Sequence, residues 1–206
     1  MKTKHLLLVI CIALLSCDKD TEESYLPSVI EFEIQTIGGL SGGIFGEKHT
    51  LTRKRKEYQA DDENGTYSSI KTYSDGNGEV IDIVGWGNNI HPQVKKINLR
   101  IPSEGVKTYT FNPETSSEKA FWLFIETTYQ SKLEGGYAKW GSTGTNLSVT
   151  ITEITDDRIK GSFTGDLVYY NIETIDGVEH KTVDDEITNV NKPLINGTFD
   201  VFREKY

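Results

Sequence analysis

Apolar and polar residues alternate along most of the chain with a period of two. Ile30, Phe32 and Ile34 are interleaved with Glu31, Glu33 and Gln35, the pattern of a strand with one buried and one wet face. Ile97, Leu99 and Ile101 alternate with Asn98 and Arg100, and Val106 to Phe111 repeats the pattern after a turn at Pro102 to Gly105. Val80 to Val84 predicts a mostly apolar strand. Phe121 to Ile125 is apolar throughout and predicts a strand buried on both faces, with Trp122 in the core. After the first residues no segment sustains an apolar period of 3.6, and Pro113 to Ala120 has room for one helical turn at most.

The breaks between these runs carry turn chemistry. Gly38 to Gly46 holds five glycines, but it lacks the Gly-Lys-Ser/Thr ending of a phosphate-binding loop and the spacing of a dinucleotide fingerprint, so it predicts a turn or bulge. Arg53 to Lys56, followed by Asp61, Asp62 and Glu63, predicts a charged edge hairpin with its tip at Asn64-Gly65. A second tip lies at Asp75-Gly76-Asn77-Gly78. In the C-terminal third, Val149 and Ile151 lead through Thr155-Asp156-Asp157-Arg158 into Ile159-Lys160-Gly161-Ser162-Phe163, and the chain closes on Ile195-Asn196-Gly197-Thr198-Phe199. Both segments read Ile-x-Gly-Ser/Thr-Phe. Isoleucine and phenylalanine share a face four residues apart, and the glycine between them marks a close approach by a neighbour. Two copies predict equivalent strands in one sheet system, joined by an excursion over Ile172 to Val190 around Asp176-Gly177.

The one long apolar run is at the start. Lys2 and Lys4 precede Leu6 to Leu15, about ten apolar residues, the length of a signal-peptide core and half of what a membrane-spanning helix needs. Leu14-Leu15-Ser16-Cys17 resembles the lipobox of bacterial lipoproteins, in which the cysteine receives a diacylglycerol and the chain is cut before it. Cys11, the other cysteine, falls in the discarded part, so lipidation accounts for a cysteine without a disulfide partner. Residues 1–16 are thus expected to be a signal peptide. Residues 17–27 would be a lipidated cysteine with an acidic tether reaching about 33 Å when extended, and residues 28–206 a single domain. Several acyl chains, palmitate among them, would anchor it stably where one would not.

The lipobox, the Lys107-Thr108-Tyr109 and Val149 to Thr152 strands, Gly161-Ser162-Phe163 and the final Asn196-Gly197-Thr198-Phe199 resemble a family of small Bacteroidota lipoproteins of uncharacterised function, over roughly residues 97–202. The resemblance implies a β-rich domain at the outer membrane, facing the periplasm or the cell surface, and implies no activity.

Charge and motifs narrow the chemistry. The chain has a formal net charge of −9, and the cut would remove Lys2 and Lys4, so global attraction to nucleic acid or anionic headgroups is excluded. His49, His91 and His180 are isolated, and their places near turns predict solvated side chains. No zinc-protease helix, paired Cys-x-x-Cys or serine elbow is present. Ser68 to Lys71 and Ser116 to Lys119 spell the Ser-x-x-Lys of penicillin-recognising enzymes, but in polar turns rather than on a helix. Asp75, Asn77 and Glu79 offer oxygens for calcium only weakly, since the twelve-residue loop pattern fails. Asp184-Asp185-Glu186 predicts a solvated loop rather than a catalytic carboxylate pair. No cofactor and no enzyme activity are expected.

Aromatic residues remain as the functional signal. Tyr137 and Trp140 stand among Gly135, Gly136 and Gly141 to Gly144, and Trp86 stands among Gly85, Gly87, Asn88 and Asn89. Such rings either stack on a ligand such as a sugar or cap the ends of the core. The expected protein is therefore all-β, an antiparallel β-sandwich or related barrel. It would act as an envelope-anchored binding or structural module, with glycan the leading ligand class. The alternatives are an envelope hydrolase using acidic residues on glycan or peptidoglycan, and a protein-partner subunit of an outer-membrane complex.

Overall fold

The computed structural model describes residues 26–38, 45–53, 67–72, 79–87, 94–111, 121–130, 137–142, 146–190 and 192–203. The expectations for the signal peptide, Cys17 and the tether before Leu26 lie outside these residues. Among the described residues, thirteen strands form two antiparallel sheets. The first sheet runs, in spatial order, β2 (Lys48–Arg53), β1 (Ser28–Thr36), β13 (Pro193–Phe202), β10 (Arg158–Asp166), β9 (Ser148–Ile154) and β6 (Thr108–Thr110). The second runs β12 (Val178–Val183), β11 (Val168–Ile175), β8 (Tyr137–Ser142), β7 (Trp122–Gln130), β5 (Val94–Pro102), β4 (Glu79–Trp86) and β3 (Tyr67–Thr72). The sheets are open and do not close into a barrel, so the fold is the sandwich of the two expected forms.

The core is built by the period-two pattern. Ile30, Phe32 and Ile34 of β1 join Ile97, Leu99 and Ile101 of β5 and Leu123 and Ile125 of β7 in one buried cluster, each at most 2% exposed. Fully burying such side chains stabilises by roughly 1.5–3 kcal/mol apiece. Gly85 faces the same cluster, where a Cβ would meet Leu51, Ile30 and Ile97 at 2.9–3.0 Å.

Four expectations need correction. The chain passes from β2 in the first sheet to β3 in the second, so the two do not form a hairpin around Asn64-Gly65; each stands at the edge of its own sheet. Trp122 is not a core residue, because β7 alternates like its neighbours: Phe121, Leu123 and Ile125 point inward, while Trp122 and Phe124 are half-buried on the outer face. His49 is buried at 4% exposed, where a solvated side chain was expected; it pairs in register with Phe32, and its ring is tilted by 31° against that ring with centroids 5.1 Å apart. Asp184 to Glu186 open a turn of π-helix over Glu186–Val190, in which the Thr188 N–H donates to the Asp184 carbonyl.

Two polar devices fix the ends of the sandwich. Arg158 is 6% exposed, and its guanidinium donates to Asp200 Oδ1 (2.6 Å) and to the carbonyls of Leu26 (2.9 Å), Pro27 (3.0 Å) and Asp200 (3.2 Å). Ser28 Oγ accepts from the Phe202 N–H at 2.8 Å beside it. The residues leading into β1 are thereby locked onto the close of β13. Where the chain crosses from β5 to β6, the Tyr109 hydroxyl donates to the Gly105 carbonyl (2.7 Å) and accepts from the Glu104 N–H (3.1 Å). This tyrosine corner holds the Gly105 turn, whose φ of +96° suits glycine.

Candidate functional site

The outer face of the second sheet carries a lattice of side chains that the strand registers bring into line. Glu126, Lys96 and Trp86 form one row across β7, β5 and β4, Phe124, Asn98 and Val84 the next, and Trp122, Arg100 and Asp82 the third. With strands about 4.8 Å apart and same-face residues about 6.8 Å apart along each strand, the lattice spans roughly 10 by 14 Å. Its charges balance.

Each row has its own bonding. In the third, Arg100 grips Asp82 bidentately, with Nη2 to Oδ2 at 2.6 Å, and its guanidinium lies 5.1 Å from the Trp122 ring. Asp82 is 1% exposed, a burial tolerable for a carboxylate because this fork satisfies it. In the second, Phe124 meets Trp122 edge to face at 5.4 Å. Val84 is buried yet belongs to no part of the inter-sheet core, which shows that this outer face has apolar packing of its own. In the first, Lys96 Nζ sits 4.3 Å from the Trp86 ring.

Between these rows runs a groove of about 250 Å³ lined by Lys96, Asn98, Trp122, Phe124 and Glu126. It combines two rings, an ammonium, an amide and a carboxylate within one open depression. Asn98 Oδ1 is buried there without a hydrogen-bond partner, and so is Trp86 Nε1 alongside. A buried acceptor left unpaired costs about 1–3 kcal/mol. The ladder is irregular on both sides of Glu126: one register shift falls between Val94 and Lys96 and another between Glu126 and Gln130. Bulges at such places re-aim side chains.

A second depression, about 350 Å³, lies on the outer face of the first sheet among Glu31, Glu33, Lys48, Ser162, Asn196 and Thr198. The Glu31–Lys48 ion pair (2.8 Å) bridges it, and its aromatic lining residues, Phe32 and Phe163, are buried core side chains. It offers no ring for stacking.

Of the aromatic residues singled out from sequence, Trp86 is in the lattice, half-buried beneath Lys96. Tyr137 and Trp140 are not in a glycine-rich loop: they lie in β8, an interior strand of the second sheet. Trp140 pairs in register with Ile125 and Tyr169, both core residues, and Tyr137 with Gln130 and Ile172. β8 is separated from β4 by β7 and β5, so Trp86 and Trp140 do not form one cluster. Trp122 and Phe124 were missed as site residues because an unbroken apolar run concealed the outward positions of β7. The available signal was that Trp122 and Phe124 share the parity of Glu126. For the calcium candidates, Asp75 and Asn77 lie outside the described residues, and Glu79 is exposed at the start of β4. Ser68 and Lys71 stand in strand β3, where the helical Ser-x-x-Lys geometry cannot form.

Compared with protein-family models, with curated proteins and with solved structures, the chain matches none.

Proposed function

We propose that the protein is a glycan-binding module of the cell envelope. In this reading it is held at a membrane, most simply the outer membrane, through acyl chains on Cys17. The carrying observation is the groove on the second sheet, where Trp122 and Phe124 stand beside the unpaired Asn98 acceptor. Aromatic faces bury the apolar face of a sugar ring, while Asn98, Lys96 and Glu126 supply the few convergent polar groups that orient it. The open, shallow shape suits an extended polymer passing across the sheet better than a small molecule enclosed on all sides. The anchor rests on the lipobox-like Leu14 to Cys17 and on the apolar run before it.

The test is a glycan array probed with the chain from Ser24 onward, with tryptophan emission followed in solution. Saturable binding that Trp122→Ala lowers at least tenfold, in a domain with unchanged far-UV dichroism, supports the reading. Binding untouched by Trp122→Ala and Asn98→Ala, or silence across a broad array, refutes it. For the anchor, the full chain should label with radioactive palmitate and fractionate with membranes, and Cys17→Ser should abolish both.

A further inference from the structure

β4 buries every residue from Val80 to Gly85, and one of them is a carboxylate. Val80, Ile81, Ile83 and Val84 are each at most 3% exposed, with Asp82 buried among them. A buried ion pair is seldom a source of stability, since well-packed apolar side chains of similar volume serve as well or better. Stability is therefore a poor reason for Asp82 to stand here.

The geometry supplies another. The Asp82 carboxylate accepts from Arg100 Nε and, at 2.6 Å, from Nη2, so its two oxygens grip one edge of the guanidinium and fix the plane of the group. That group lies 5.1 Å from the centroid of the Trp122 ring, and Trp122 in turn meets Phe124 edge to face. Trp122 and Phe124 line the groove, whereas Asp82 and Arg100 do not. A line of contacts thus runs from a buried carboxylate on β4, across β5, to the rings on β7, along three positions that the register sets opposite one another.

We infer that Asp82 is a positioning residue: through Arg100 it sets the Trp122 ring before any ligand arrives, and so governs affinity at a groove it does not touch. The inference rests on the glycan-binding reading of that groove. A ring already held in its bound orientation has little rotamer freedom left to lose, and the ordering cost avoided appears as affinity. Arg100→Lys would not serve, because an ammonium has neither the planar fork for Asp82 nor the flat face for Trp122.

The test uses the full chain in detergent, with its three tryptophans carried as fluorinated tryptophan and the Trp122 fluorine signal identified by its loss in Trp122→Phe. Asp82→Val combined with Arg100→Met removes the pair without leaving a lone buried charge, so the urea midpoint should match or exceed that of wild type. The Trp122 signal, single in wild type, should broaden or divide in this variant as the ring samples further orientations. Affinity for the array glycan that binds wild type most tightly should fall about fivefold to tenfold, as expected when one side chain must be ordered anew. Asp82→Asn should act the same way with a lowered midpoint. A Trp122 signal that stays single and sharp in both variants overturns the inference, and so does full affinity with the ring set loose. If wild type binds no glycan, the reading of the groove falls by itself, and the fluorine signal still decides whether Asp82 sets the ring.

Discussion

Phe163 and Gly197 stand directly opposite each other in the β10–β13 ladder, and two residues along, Gly161 stands opposite Phe199. The two Ile-x-Gly-Ser/Thr-Phe segments thus pair with one another, each phenylalanine ring lying over the other's glycine. A Cβ at Gly197 would come within 2.5 Å of Phe163 Cζ and of the Glu31 carbonyl oxygen, and one at Gly161 within 2.5 Å of Phe199 Cζ. The rings are stacked, with centroids 6.4 Å apart. Gly197→Ala should therefore destabilise by about 3 kcal/mol, at the upper end of overpacking costs, read as a lowered urea midpoint. Phe163→Leu in the same chain should recover only part of the loss, since the Glu31 backbone stays in place.

Arg158→Ala removes a buried guanidinium from four hydrogen bonds and leaves the carbonyls of Leu26 and Pro27 without their donor. About 3 kcal/mol should be lost. Protease cleavage near Leu26 should accelerate more than cleavage elsewhere. Arg158→Lys should not restore protection, because an ammonium cannot reproduce the planar fork.

The phenol of Tyr109 is held above its usual value near 10, chiefly by burial. Lys107 is raised as well, first by its hydrogen bond to Glu104. A group whose folded value is raised contributes stability below its unfolded value and loses it as pH climbs through the folded one. The urea midpoint should therefore fall above pH ~10. Tyr109→Phe should flatten that fall while costing about 1–2 kcal/mol at neutral pH through the lost corner.

Neighbouring residues of β7 should respond unequally to truncation. Leu123 is fully buried, and Leu123→Ala should cost about 2–5 kcal/mol. Trp122→Ala, on the outer face, should cost no more than about 1–2 kcal/mol from its contacts with Phe124 and Arg100. Thermal unfolding of the two variants decides it.

That contrast shows where sequence patterns carry information and where they stop. Alternation placed β1, β5 and the paired C-terminal strands correctly, because each faces the core with one side and leaves the other at least partly open to water. The paired Ile-x-Gly-Ser/Thr-Phe segments foretold close approach to glycine, though not that each supplies the ring for the other. Alternation failed on β7, where Trp122 and Phe124 pack on an outer face that is itself partly apolar. Which sheet receives β2, β3 or β6 depends on loops that cross between layers, and no local pattern records that choice. The role of Arg158 was equally hidden, since its partners Leu26 and Pro27 lie more than 130 positions away in the chain.

The clamp at Arg158 also decides how a pull on the N-terminal segment is met. Force arriving through Leu26 passes to β1, which is bonded on both flanks, by eight register pairs to β13 and six to β2. Along the strand axis such a force must shear two ladders together instead of unzipping one pair at a time. For a domain hung by its N-terminal end in moving fluid, the first sheet would bear the strain, and the groove on the second would keep its shape while loaded.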